Sequence, residues 1–457
     1  MLRLAGGQVE SLFDEVLPVE VRELPSELAA LDALLSDEAL LEPIERGWDA
    51  AAREHGRPTI AMATFVRLMV VKQRTGWGYE TLVREVSDSL HLRRFCLIGL
   101  AERIPDESTV RKLVRRLGPE VVDEITRAVI GKAERETRFR ARAVRVDSTV
   151  VEADVRYPSD AVLALQGAKA LAREGRKLSR LLAGKGARVV DRSRQIGRTV
   201  RAISRTLARR TGKRVEQVIA FNAKAGRAMS RSVREARRLA AQARASARGR
   251  GAQPKLRAAR KLDRLAADCE RVAAQIEQRL AGEAITDRIV SLADTDARPI
   301  RKGKLGKPNE FGYVAQIAEI TANTQRGARG YVLPAATAPG NAGENTLLPD
   351  TVTELERLRH RPREIALDGA FGHHKSAEQL APIKPERIFV AGRQEPGSRR
   401  TRKRLARYRT GAEGRISHLK RGYGLGRSRL RGNQGQRTWT GWAILAYNLD
   451  TLAVHTA

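Results

Sequence analysis

Apolar residues recur at helical spacing through the first 135 positions, gather into short strand-like runs later, and return to helical spacing, diluted by arginine, between residues 161 and 285. At the start, LPSELAALDALLSDEALLEPIERGWDAAAREHG predicts two or three amphipathic helices with Ser26 and Ser36 as N-caps. This acidic, leucine-rich stretch suits packing or dimerisation. A helix from about Ile60 to Arg74, a GWGY break and a second helix from Tyr79 follow, with Trp77 and Tyr79 as core anchors. Asp106–Ser108 then opens a helix exposing Arg111, Lys112, Arg115 and Arg116. Short helices ending in a basic one suit a helix-turn-helix-like DNA reader, and equally a packing domain with a solvated basic face.

From Ala141 the period changes. AVRVDSTVVEADV is β-branched enough for a strand buried on both faces. RIVSLAD, FGYVAQIAEIT and GYVLPAATA read as strands of a meander, joined by the glycine- and lysine-rich loop RPIRKGKLGKPNEFG. AGENTLLPDTVTELERLRH returns to helix, PREIALDGAFG and ERIFVAGR to short strands, and an arginine-rich link runs from Gly397 to Arg407. A helix follows, and WTGWAILAYNLDTLA closes the chain as an apolar, core helix.

Charge changes this picture. The formal net charge is +33, with 86 Lys and Arg against 53 Asp and Glu in 457 residues. The segment 161–285 alone holds 32 Lys and Arg against 9 Asp and Glu, on three or four long helices with breaks near Gly184–Gly186 and Arg248–Pro254. An antiparallel bundle or hairpin that touches phosphate backbone, without reading sequence, is the expectation. A polyanionic partner explains the charge, and nucleic acid fits better than membrane because no long apolar run, signal peptide or lipidation motif is present. The two cysteines, Cys96 and Cys269, match no disulfide framework or zinc spacing, which points to a reducing, cytoplasmic setting.

Three carboxylates carry candidate chemistry. Asp147 stands where the first strand meets a polar DST step, although a turn role, or its neighbours Asp154 and Asp160, would serve that pattern too. Asp368 stands at the end of IALD before Gly369, the strand end at which α/β sheets bind ligands. In RYRTGAEGRISHLKRGYG, a turn of about 100° per residue puts Arg409 and Lys420 within about 40° of Glu413. Ala412, Ile416, Leu419 and Tyr423 form the adjoining apolar stripe. Taken alone, an Arg409–Glu413 ion pair on a wet helix explains that row as well. With two aspartates upstream, the strand–strand–helix order lets an RNase H-like sheet bring the acids together, and hard oxygen ligands suit Mg²⁺ or Mn²⁺.

The chain resembles the DDE-type transposases of bacterial insertion sequences. GRPTI…DESTVRKLVRRLG is similar to the N-terminal domain of that group, and VDSTVVEAD…YPSD, GKPNEFGY, IALDGAFG and RTGAEGRISHLKRGYGL…RLRG match its catalytic blocks in order. The resemblance implies an α/β chain with a helical DNA-binding or dimerisation domain (1–135) and an RNase H-like mixed-sheet catalytic domain (136–160 and 286–457), interrupted by a basic helical insertion (161–285). It implies a metal-dependent, nucleoid-associated enzyme that cleaves the ends of a mobile element and joins the 3′-hydroxyls to target DNA. Two Mg²⁺ or Mn²⁺ ions would be held by Asp147, Asp368 and Glu413, with Arg409 and Lys420 on DNA phosphate. The partners would be double-stranded DNA, as terminal inverted repeats and target, and a second copy in a homodimer or larger oligomer. The family's Glu helix carries a Tyr–Arg–Glu–Lys signature. Arg409, Glu413 and Lys420 keep its last two intervals, but Ala406 occupies the tyrosine position and Tyr408 is displaced, so Tyr408 stays outside the catalytic set.

Two other classes fit parts of the pattern: a metal-dependent RNase H-like nuclease that cuts without joining, and an inactive basic DNA-binding relative in which Asp368→Asn would change nothing.

Overall fold

The computed structural model describes residues 1–6, 16–49, 53–183, 186–208, 214–301, 309–393 and 398–456. The chain divides into two compact units, Met1–Asp154 with Gly312–Ala457, and Val155–Phe311. The predicted loop residues 302–308 and the predicted break at 184–185 lie outside the described residues.

In the first unit, helices α1 (Ser26–Leu35), α2 (Glu42–Gly47), α3 (Met62–Thr75), α4 (Tyr79–Asp88), α5 (Leu90–Phe95) and α6 (Glu107–Glu136) precede the sheet. Ser26 is the first residue of α1 and Ser36 its C-terminal cap, so neither is an N-cap; Asp37 caps the short turn that follows, its carboxylate accepting from Ala39 N at 3.1 Å. Pro25 already fixes the extended φ that a helix entry needs, which leaves Ser26 free to begin the helix. Helix α6 bends at Gly118, whose φ of 70° is left-handed, and Pro119 restarts it.

Strand β1 (Ala143–Ala153) is the centre of a mixed sheet. It runs antiparallel to β3 (Glu310–Thr321) and parallel to β6 (Glu364–Leu367), which is parallel to β7 (Arg387–Val390). Two short strands, β4 (Tyr331–Val332) and β5 (Ala336–Pro339), pair with β3, split by the Leu333–Pro334 step. Helices α11 (Glu344–Arg357), α12 (His373–Leu380) and α13 (Arg399–Gly422), strand β8 (Arg427–Ser428) and helix α14 (Gly432–Thr456) complete the unit. Arg399–Arg407, expected as a link, is the first half of α13. Arginine is a good helix former, and the Ser398 hydroxyl caps the start by accepting from Thr401 N at 3.2 Å.

The faces of β1 are both buried, as its valines predict. Val144 and Val146 join Leu68, Val129, Ile365 and Leu367 in one core with the N-terminal helices, where Trp442 of α14 meets Phe65 edge-on at 5.7 Å. Ala143, Arg145, Asp147 and Val151 point the other way, toward α13.

The second unit is built from α7 (Asp160–Leu181), α8 (Ser193–Ala208), α9 (Arg214–Ala245) and α10 (Ala252–Leu280), with β2 (Arg298–Ile300) near its end. Small residues let these helices approach: a Cβ at Gly167 would stand 2.8 Å from the Cys269 sulfur. Arg288–Asp294, expected as a strand, is irregular. Its apolar residues were the signal, and Ile289 is indeed buried, but in the helical core. There the Gln275 side chain takes the place of a strand neighbour, accepting from Ile289 N at 3.0 Å and donating to its carbonyl at 3.3 Å. Both cysteines are free and buried.

Candidate active site

The sheet register brings two of the acids together. Val146 of β1 pairs with Leu367 of β6 in parallel, so Asp147 and Asp368 are the next residues along two neighbouring strands. β6 ends at Leu367, and Asp368 opens a turn in which its carbonyl accepts from Phe371 N at 3.1 Å. Helix α13 supplies the third acid. Its Leu405, Tyr408, Ala412 and Leu419 dock on the sheet, which turns Arg409 and Glu413 toward the strand ends.

Arg409 is the hub. One guanidinium nitrogen, Nη2, lies 2.5 Å from Asp368 Oδ1, 3.1 Å from Glu413 Oε1 and 3.7 Å from Asp147 Oδ2. Its Nε is buried with no hydrogen-bond partner. Exposure rises outward: the side chain of Asp147 is 12% exposed, that of Asp368 33% and that of Glu413 64%. Burial, then the neighbouring Asp368 charge, pushes the Asp147 carboxyl up to about 6, while Arg409 pulls it back. Among the described residues no three His, Cys, Asp or Glu side chains are arranged to share one metal ion. Carboxylate oxygens are the donor type a hard divalent cation prefers; in this structure the three face one positive group, the Arg409 guanidinium.

Lys420 lies seven residues beyond Glu413, about 10 Å along the helix axis, with its stem near Gly426. Tyr408 is a core residue, 1% exposed, its hydroxyl 2.7 Å from that of Thr321 and its ring under Arg145. Ala406 packs at the edge of the same cluster. Asp160 belongs to the second unit, where Gln275 and Arg279 hold it at 3.1 Å each.

Sequence reasoning missed Glu344. It opens α11, and its carboxylate accepts a short hydrogen bond from the Ser148 hydroxyl, while Ser148 N donates to Asp147 Oδ1 at 2.8 Å. Burial raises its carboxyl above the usual range, the Ser148 and Gln316 side chains pull it down, and the Asp368 charge adds to the rise. A glutamate in the first turn of a helix is ordinarily a dipole partner, so nothing in AGENTLL distinguishes it. Glu344→Gln keeps the shape but removes the charge facing Asp147 and Asp368. DNA cleavage is expected to fall roughly tenfold, about 1.4 kcal/mol, with the melting temperature nearly unchanged; full activity would make Glu344 a spectator.

Comparison with known proteins bears on this geometry. Residues 19–116 match a family described as "Transposase domain (DUF772)", and residues 292–449 match the "Transposase DDE domain". The chain belongs to the DDE-type transposases of insertion sequences. The second match spans Asp368, Arg409, Glu413 and Lys420, whereas Asp147 lies in neither matched segment and stands on the β1–β6 register alone. No curated protein and no solved structure matches the chain.

Proposed function

We propose that this transposase cleaves the ends of its element and joins the freed 3′-hydroxyls to target DNA at a site built from Asp147, Asp368 and Glu413. The observation that carries the reading is the convergence of these carboxylates on a single Arg409 nitrogen. Three acids gathered this closely repel one another unless a cation sits among them. Divalent ions held by Asp147, Asp368 and Glu413 would stabilise the attacking and leaving oxygens of an in-line displacement at phosphorus.

The chain's own residues do the rest. Asp147 on β1 and Asp368 in the turn directly after β6 follow the paired residues Val146 and Leu367, so the sheet register sets where both begin. Glu413, the most exposed of the three, closes the site from the helix side. Arg409 neutralises the cluster in the absence of metal. With divalent ions held by the acids, Arg409 would be free to pair with the scissile phosphate, to which Lys420 would add a second cation further along the helix. The basic helices of the second unit supply sequence-independent attraction for DNA.

The test uses DNA carrying the element ends and Mg²⁺. The protein is expected to cut at the ends and, given pre-cleaved ends with free 3′-hydroxyls, to insert them into plasmid DNA. Cutting without insertion would reduce the reading to a nuclease. Neither reaction would leave a DNA-binding relative.

A further inference from the structure

The first turns of α13 carry an unexpected concentration of charge away from the acids. Arg399, Lys403 and Arg407 repeat at four-residue spacing, and Arg400 and Arg404 repeat likewise beside them, so all five lie along one side of the helix. The turn after β3 faces them with Thr324, Gln325 and Arg326, and together these residues line an open cleft of about 870 Å³.

The cations in this cleft are not used to hold the fold. Arg404 is the exception: with Arg387 it neutralises Glu364, at 2.5 and 3.0 Å. Among the described residues, Arg326, Arg399, Arg400, Lys403 and Arg407 have no carboxylate within ion-pair distance. Several other arginines of the same unit do hold the fold through ion pairs: Arg67 with Asp32, Arg127 with Glu354, Arg437 with Asp123. Five like charges without anions repel one another and weaken the compact state. The helix N-terminus adds its own positive end to the same cleft. A long, open, one-sided cleft of this sign suits an extended polyanion better than a small anion, which would be enclosed.

Position selects the polyanion. The helix that starts in this cleft runs directly to Arg409 and Glu413. Lys403 and Glu413 are ten residues apart, about 15 Å of helix rise, which equals about four nucleotides of one strand at about 3.4 Å each.

We propose that the cleft between the first turns of α13 and the β3–β4 turn grips the phosphodiester backbone of DNA about four nucleotides from the bond cut at Asp147, Asp368 and Glu413. The proposal rests on the function given above. Guanidinium groups pair with phosphate oxygens in two-pronged fashion, and such contacts fix register without reading bases.

The experiment measures binding without chemistry. Fluorescence anisotropy in EDTA compares the full-length protein with Arg400→Glu/Lys403→Glu on two labelled duplexes, one bearing the sequence that flanks the coding region and one unrelated. Arg402→Glu is the control: the same helix and charge change, but a side chain outside the cleft. The double variant is expected to bind more than about tenfold more weakly near 0.1 M salt, with its salt slope smaller by about 2, and the control to change less than about threefold. Arg400→Gln/Lys403→Gln, gentler on folding, is expected to lose affinity in the same direction. Weakening confined to the flanking duplex assigns the cleft to the element end, confined to the unrelated duplex to target DNA, and equal weakening to either backbone. Unchanged binding by both double variants, or an equal loss in Arg402→Glu, overturns the proposal. Failure of the wild type to cleave with Mg²⁺ would instead sink the function reading while leaving this measurement intact.

Discussion

Alanine at Asp147, Asp368 or Glu413, one at a time, is expected to lower Mg²⁺-dependent cleavage of element ends by roughly a thousandfold, about 4 kcal/mol of transition-state stabilisation. Binding of the same duplex in EDTA should stay equal or tighten, because each change removes a negative charge from a surface that meets phosphate. Folding should be little affected. Each carboxylate meets Arg409 at a site with 12 to 64% side-chain exposure, and two acids remain beside the guanidinium when one is removed. The measurement is single-turnover cleavage, with anisotropy and a thermal melt as companions. A variant that keeps more than about a tenth of wild-type cleavage is outside the metal-holding set. Asp147 is the most informative of the three, since it lies in neither segment matched to the transposase families. If Asp147→Ala cleaves normally while Asp368→Ala and Glu413→Ala do not, the strand register has paired Asp368 with the wrong neighbour, and Glu344 becomes the acid to test in its place.

How much of this was readable from the chain depends on the range of the interaction involved. Strand β1 announces itself by β-branched residues, and Asp368 by the break from IAL to DG. Glu413 shares a helical face with Arg409. Each is a local pattern: Asp147 lies on β1 and Glu413 on α13, as the patterns predict, and Asp368 falls one residue past the end of β6. Glu344 was invisible because its significance lies in Ser148, a residue on a distant strand. Arg399–Arg407 looked too charged for regular structure, yet arginine stems tolerate a helix once Ser398 caps it. Arg288–Asp294 misled for the opposite reason: a short apolar run records burial, and burial against helices leaves the same trace as burial in a sheet. The N-terminal helices offered no hint that Val144 and Val146 of β1 would share their core, since that contact depends on the face of a strand far along the chain.

The same kind of long-range pairing underlies the largest stability effect to expect. One pleat from Asp147, Arg145 donates to Glu319 of β3 at 2.8 Å, and Arg415 of α13 reaches the other Glu319 oxygen at 2.9 Å, with Gly330 N adding a bond at 3.0 Å. Glu319 and Arg145 are 1% and 4% exposed. Arg145 also donates to the carbonyls of Ala328 and Tyr408, and a Cβ at Gly411 would overlap its guanidinium, so glycine is needed where the helix crosses it. These contacts hold α13 in the register that presents Arg409 and Glu413. Glu319→Ala leaves two cations buried without a counter-charge and is expected to destabilise the unit by about 3–5 kcal/mol, read in denaturant melts. Adding Arg145→Leu removes one of the stranded charges, so the double variant should recover part of the loss, with a coupling of about 1–3 kcal/mol in a double-mutant cycle. Cleavage should not recover with it, because the helix has lost its tie to β1 at the Tyr408 carbonyl, about two turns before Arg415. Additive losses would mean that Glu319 and Arg145 act independently. Recovery of cleavage together with stability would mean that the position of Glu413 is set by the apolar docking of Leu405, Tyr408 and Leu419 alone.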